Sequence, residues 1–339
     1  YEISCSLVGS EMCIRDRIYL YQEKYADAKS ELEKVISSGK YDLIADVSTF
    51  YHPASAGCKE YVLECVRHYD PSNMYSQEGW FGILANWGFG YGFIAGPEAS
   101  MHYKFNTTSG YSYFNPSKSL YDAFVAEEGA DGYRLNAWIR TWEQVIAMNI
   151  AVNTTTNKYA SEGYFRLKWL ASTDDEFVGY WCGNQSNTPV IRYADVLLMA
   201  AEACLQAGDQ AGADEYLGRV RDRARLPRKS HVTLSDIKLE RRLELAMEGM
   251  RFQDLKRWGD APAVLADKGK KLPTFQIVPD PNNDLTTAAG IYNARYTTKT
   301  TYVDNEKSLA GWTPNRDEWL PFPENELEVN SNLKQNPGY

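Results

Sequence analysis

Apolar positions three and four apart dominate two stretches of the chain. From Ile18 onward, Tyr21, Tyr25, Ala28, Leu32 and Val35 recur at those steps, and the run stops at Ser37-Ser38-Gly39. This spacing predicts one amphipathic helix. A longer block, RYADVLLMAAEACLQAGD, turns at Gly208 and continues as QAGADEYLGRVRDRARLP until Pro227, the pattern of a helix hairpin. Laying YADAKSELEKVI (25–36) over QAGADEYLGRVR (210–221) sets Ala26 on Ala211, Ala28 on Ala213, Leu32 on Leu217 and Val35 on Val220. One helix type therefore occurs twice. Small residues at one step and large aliphatics at the next let helices approach closely, the packing used by tetratricopeptide hairpins. The copies are not in tandem, so other elements must complete the stack. In a third helix, capped by Thr233 or Ser235, the residues Ile237, Leu239, Leu243, Leu245 and Ala246 form the buried side. Its charges, Lys238, Glu240, Arg241, Arg242, Glu244 and Glu248, predict a solvated or salt-bridged face. The basic run Arg221, Arg223, Arg225, Arg228 and Lys229 lies at a helix C-terminus, where cations offset the macrodipole.

Residues 44–190 differ. Gly, Pro, Asn, Ser and Tyr punctuate them, leaving helical patches only at Ser119–Val125 and Trp138–Met148. The segment is loop-rich yet aromatic, which predicts a packed subdomain. Residues 261–339 read as an irregular wrap. The organisation expected is thus mainly α: a repeat helix over 18–43, a loop-rich aromatic subdomain over 44–190, a hairpin plus third helix over 191–260, and the wrap.

Composition changes the picture at one place. Aromatics make up 13% of the chain but twelve of the forty positions 75–114, and GWFGILANWGFGYGF (79–93) carries six rings, five glycines and no charge. In an extended conformation, rings alternating with glycine from Trp87 onward share one face. Indole and phenol combine area, rigidity and a polar edge, which suits the apolar faces of sugar rings. The candidate ligand residues are Trp80, Trp87, Phe89 and Tyr91, with Tyr111 and Tyr113 from the same dense interval. The alternative for these rings is the subdomain's own core. A net charge of −9 argues against nucleic acid as a partner. No run of eighteen apolar residues exists to span a bilayer.

Signatures of catalysis are missing from the sequence. Four histidines occur without HExxH spacing, and there is no GxSxG elbow, P-loop, GxGxxG or CxxC, so neither cofactor nor metal is expected. Asp280-Pro281-Asn282-Asn283-Asp284 opens like a calcium loop but has Leu285 where glycine belongs and Ile291 where the bidentate glutamate belongs. Asp174, Asp175 and Glu176 could serve a glycosidase, although adjacent carboxylates do not make an acid/base pair across a cleft. Cys204 falls on an apolar helix face and reads as a small buried hydrophobe.

Four segments in order, TPVIRYADVLLMAAEACLQAGD, VRDRARLP, IKLERRLELAMEGMRFQDLKRWGDA and LPFPENELEVNSNLKQNPGY, closely resemble the signature segments of the SusD/RagB family. The resemblance extends back through PSKSLYDAFVAEEGADGYRL to the helix at KYADAKSELEKVISSGKYDL and covers residues 18–339. It implies a SusD-like fold in which tetratricopeptide-type hairpins support a loop-rich irregular subdomain. It further implies a non-catalytic, lipid-anchored protein of the outer-membrane surface that binds a glycan or other nutrient for a SusC-type TonB-dependent transporter. Arg241, Arg242, Glu248, Arg251, Asp254, Arg257 and Trp258 fall in the matched segments and read as structural signatures of the scaffold. The alternatives are a tetratricopeptide-type protein-interaction scaffold and a secreted glycosidase. Residues 1–17, YEISCSLVGSEMCIRDR, show no apolar period, and SLVGSEMCIRDR resembles translated sequencing-adapter read-through. They are expected to be non-native, with the chain being the C-terminal part of a longer one.

Overall fold

The computed structural model describes residues 5–66, 115–147, 158–159, 162–168, 187–284, 286–287, 290, 295–305 and 310–339. In chain order its principal elements are α1 (Cys5–Tyr21), α2 (Tyr25–Ser37), β1 (Tyr61–Cys65), α3 (Lys118–Glu128), α4 (Tyr133–Trp138), β2 (Ile139–Thr141) and α5 (Trp142–Ala147). There follow β3 (Lys158–Tyr159), β4 (Tyr164–Arg166), β5 (Thr188–Arg192), α6 (Tyr193–Gln206), α7 (Gln210–Arg223), α8 (Leu234–Glu244), α9 (Arg251–Arg257), β6 (Lys271–Pro279) and β7 (Tyr296–Asp304).

Four helices stack in the order α1, α2, α6, α7. The core between them holds Ala28, Leu32 and Val35 of α2, Val196 to Ala201 of α6, and Leu217 and Val220 of α7. The aligned pairs share an environment: Ala28 and Ala213, Leu32 and Leu217, and Val35 and Val220 are buried, while Ala26 and Ala211 are exposed. Helix α6 is buried on every side from Tyr193 to Cys204, as befits the centre of the stack. That leaves no peptide-binding groove along it.

The helix expected from Ile18 is corrected. The single helix from Ile18 is two helices, broken at Gln22–Lys24. Glu23 takes a left-handed conformation (φ 57°), and the Lys24 amide closes onto the Tyr19 carbonyl at 2.9 Å. This is a Schellman-type ending. The turn between α6 and α7 has the same form, with Gly208 at φ 84° and the Asp209 amide on the Cys204 carbonyl at 2.8 Å. Glu23 and Gly208 stand in register in the repeat, so whole hairpins are repeated, not single helices. Asp209 then caps α7 through the Gly212 amide at 2.9 Å.

Helix α1 runs unbroken across Ile18. Within it Cys13 and Asp16 are buried, and Arg17 pairs with Asp195 of α6. Neither Asp16 carboxylate oxygen has a partner among the described residues; burial, and then the Glu31 carboxylate, push this acid up to about 7. The repeat places Ala201, a fully buried alanine, at the equivalent position. An acid therefore sits at a site shaped for a small apolar side chain.

Helix α3 starts at its Ser117 cap, whose hydroxyl accepts from Leu120, and ends at Gly129. The stretch Trp138–Met148, expected to be one helix, is instead the end of α4, then β2, then α5. Three small antiparallel sheets complete the described frame: β1 with β5 (Tyr61 opposite Arg192), β2 with β4 (Ile139 opposite Arg166), and β3–β6–β7. The wrap is less irregular than expected. Strands β6 and β7 pair over nine residues each, Lys271 opposite Asp304 and Pro279 opposite Tyr296. Thr and Val favour strands in both, with Phe and Ile in β6 and Tyr in β7, whereas Pro273 and Pro279 obscure the pattern in β6.

Candidate functional site

In the sequence, 67–114 falls between β1 and α3, and 148–186 between α5 and β5. The described residues that flank them belong to β1, α3, α5 and β5, with Lys158–Tyr159 and 162–168 returning between. The ring-bearing candidates Trp80, Trp87, Phe89, Tyr91, Tyr111 and Tyr113 all lie outside the described residues, as do Asp174, Asp175 and Glu176. What the structure does show is how β1, α4, β5 and α8 are joined.

They are joined by buried charge. Arg134 of α4, with no exposed surface, donates from Nε to Glu128 Oε1 (2.7 Å) and from Nη1 to Glu240 Oε1 (2.5 Å) and Glu244 Oε2 (2.9 Å). Arg192, at the end of β5, donates to Glu248 Oε2 (2.8 Å), Glu244 Oε1 (3.1 Å) and Glu60. Arg223 bridges Glu60 (3.1 Å) to Glu244, and Arg221 bridges Glu127 (2.6 Å) to Glu240 (3.0 Å). Lys168 donates to the carbonyls of Glu244 (3.0 Å) and Ala246 (3.2 Å) and to Glu248. Its ammonium also sits 3.7 Å from the Trp138 ring centre, and Arg192 lies 4.7 Å from that of Phe50.

The electrostatics follow from burial against pairing. Burial alone would raise the Glu244 carboxyl, but Arg223, Arg192 and Arg134 overcome it and hold the group well below the usual carboxylate range. Glu60 goes the other way: burial outweighs Arg223 and Arg192 and raises it. Burial brings Lys168 down to about 8, with Glu248 opposing. Each carboxylate of this cluster is spent on a guanidinium or ammonium, so the cluster has no free acid/base pair and serves as a clasp.

A second group ties α6 to α8 and α9. Arg241 spans Asp195 (2.8 Å) and Asp254 (2.9 Å), while Arg257 joins Asp254 (3.0 Å) to Glu202, which also accepts from Trp258 Nε1 at 2.9 Å. Arg242 donates to the Ser119 carbonyl at 3.0 Å. The signature residues of this stretch are thus structural. The charged face of α8 is salt-bridged, with Glu240, Arg241 and Glu244 buried and paired.

Aromatic packing completes the base. Trp142 lies 5.4 Å from Phe165 and 5.6 Å from Phe275, joining α5, β4 and β6. Tyr121 and Tyr164 stack at 4.5 Å.

Among the described residues, neither of two places that could attract a cation is built for one. Glu33, Cys204 and Asp209 converge, but Lys29 already donates to Asp209 at 2.6 Å, and burial pushes the Cys204 thiol up to about 12. In the Asp280 turn, Asp280 Oδ1 accepts from the Asn282 amide (2.9 Å) and Asp284 Oδ1 from the Thr286 amide (2.9 Å). Both carboxylates are turned into their own loop.

The model of the SusD family matches residues 59–339. The chain belongs to the SusD family. A SusD-like protein of Bacteroides ovatus is 31% identical over 170 residues, 44% of this chain and 29% of its own length. Among solved structures, a laminarin-binding SusD-like protein superposes with a TM-score of 0.71 and 25% identity, covering 98% of this chain and 62% of that one. Surface glycan-binding protein A of Bacteroides thetaiotaomicron, solved with laminarihexaose, superposes at 0.67 with 23% identity over 96% of this chain and 62% of its own. At that identity the likeness is one of fold. This SusD-family chain therefore spans under two thirds of the solved structures it overlays and under a third of its curated relative.

The SusD-type fold explains what sequence reasoning missed. Arg134, Lys168 and Arg192 each interrupt an apolar stretch (GYRLNAW, YFRLKWL, PVIRYAD), and a cation flanked by apolar residues in three separate places was the available signal of a shared buried cluster.

Proposed function

We propose that this protein binds a glycan at the bacterial cell surface without catalysis and delivers it to a SusC-type TonB-dependent transporter of the outer membrane. The observation that carries the reading is the superposition of nearly the whole chain on a laminarin-binding SusD-like protein at 25% identity. The ring-rich interval 75–114 supplies a matching chemistry, since rigid aromatic faces stack on sugar rings. The ligand residues proposed are Trp80, Trp87, Phe89, Tyr91, Tyr111 and Tyr113. Attachment through a lipid anchor is part of the proposal; no helix among the described residues is long and apolar enough to cross a membrane.

Isothermal titration against laminarin and a panel of other soluble polysaccharides tests it, with Trp80→Ala and Trp87→Ala as probes. Loss of one stacked ring is expected to weaken binding roughly tenfold, about 1.4 kcal/mol. Unchanged affinity in both variants would remove the site from this interval. No binding to any polysaccharide, with the fold intact, would remove the glycan reading.

A further inference from the structure

Three tyrosines outside the ring-rich interval meet on one patch of the frame. Tyr121 of α3 and Tyr164 of β4 are half-buried and stack, ring centres 4.5 Å apart and planes 27° apart. Glu162 stands two positions before Tyr164, and its Oε1 accepts from the hydroxyl of Tyr302 in β7 at 2.5 Å. Tyr302 itself is 49% exposed. The other carboxylate oxygen accepts from the Lys118 amide in the first turn of α3, also at 2.5 Å. Glu162 thus gathers rings from α3, β4 and β7 around one carboxylate.

This patch has the parts of a sugar site. Among the described residues, neither the Tyr121 nor the Tyr164 hydroxyl has a hydrogen-bond partner, so both keep their donor and acceptor capacity. Tyr302 is tied to Glu162, which orients its ring before a ligand arrives and lowers the ordering cost of stacking on it. A phenol offers a flat apolar face and a polar edge, matching the apolar face and hydroxyl rim of a pyranose. Charge narrows the ligand further. Lys118 Nζ is taken by Asp122 at 2.6 Å, which leaves Glu162 as the uncompensated charge of the patch, on a chain whose net charge is −9. A carboxylate accepts from sugar hydroxyls but repels a uronate or a sulfate.

We propose that Tyr121, Tyr164 and Tyr302 form a sugar subsite on the frame itself, selective for an uncharged pyranose, with Glu162 accepting from its hydroxyls. The inference rests on the glycan-binding reading. It adds to that reading a ligand class, neutral and neither uronic nor sulfated, and a binding surface carried by α3, β4 and β7 outside residues 75–114.

Isothermal titration against laminarin and other neutral polysaccharides, alongside polygalacturonate and dextran sulfate, tests it. A neutral polymer is expected to bind best, with both polyanions at least tenfold weaker. Tyr302→Ala should weaken the neutral polymer roughly tenfold, and Tyr302→Phe, which keeps the ring but loses the bond to Glu162, roughly two- to threefold. Should Tyr302→Ala fail to fold, hydroxyl-radical footprinting of the unaltered chain gives the same reading: a saturating neutral polymer is expected to lower oxidation of Tyr302, and equal oxidation with and without it overturns the subsite. Tighter binding of a polyanion overturns the proposal. Unchanged affinity in a folded Tyr302→Ala, with binding weakened by Trp80→Ala or Trp87→Ala, overturns the subsite and leaves the glycan reading standing. Binding to no polysaccharide at all overturns both.

Discussion

Replacing Glu244 by Gln removes one charge from the centre of the clasp without changing its shape. Glu244 has no exposed surface and accepts from three guanidinia, those of Arg134 (2.9 Å), Arg192 (3.1 Å) and Arg223. Water cannot reach these cations to replace the lost carboxylate, and breaking one side of a buried ionic contact costs about 3–5 kcal/mol. The amide retains an acceptor oxygen, which places the expected loss near 3 kcal/mol, a large part of the roughly 5–15 kcal/mol that holds a domain folded. The melting midpoint should fall by roughly 5–10 °C. The control is Glu215→Gln, which breaks a pair with Arg228 whose side chains are 53% and 46% exposed. Such a pair contributes about 1 kcal/mol or less. Urea denaturation of both variants gives the comparison. The sign with pH is also fixed. Because Glu244 is lowered in the folded state, its contribution is present above the unfolded value of about 4.3 and fades as pH falls further toward the folded value, so the two proteins should converge in acid. A Glu244→Gln midpoint equal to that of the control at pH 7 would refute the clasp as an element that stabilises the frame.

Two further outcomes follow from local geometry. Gly163 sits at φ +88°, and an added Cβ would meet Phe275 Cε2 at 2.6 Å, so Gly163→Ala should cost roughly 1–3 kcal/mol by urea denaturation and lower the Trp142 fluorescence signature of the packed ring cluster. Asp236 closes a capping box with Thr233, and its carboxyl, buried in part but held down chiefly by Thr233 and Lys229, lies at about 2. Asp236→Asn should lose about 1 kcal/mol at pH 7, with the difference disappearing as pH falls from about 4 to about 2.

The sequence disclosed what regular spacing can disclose. The hairpin at 191–227, its turn at Gly208 and the cap at Thr233 are all present, because each rests on a local signal: period, glycine or cap. The break at Glu23 was hidden, since a glutamate in a left-handed conformation leaves no compositional mark although its repeat partner is a glycine. Strand β6 was hidden by its prolines, and with it the partner of β7. The clasp escaped for another reason. Glu60, Arg134, Lys168, Arg192, Arg223 and Glu244 meet only through tertiary folding, and charges on α8 at helical spacing are indistinguishable in sequence from a solvated face. The ring-rich interval was legible as composition, which identifies a chemistry and not a geometry.

The clasp also bears on how the chain can tolerate changes of length. A chain segment whose two ends are fixed close together costs conformational entropy that grows only with the logarithm of its length, about 0.6 kcal/mol for each doubling. No member of the clasp falls within 67–114 or 169–186. A change of length in either interval therefore costs little entropy and removes no ionic partner of α4, β5 or α8.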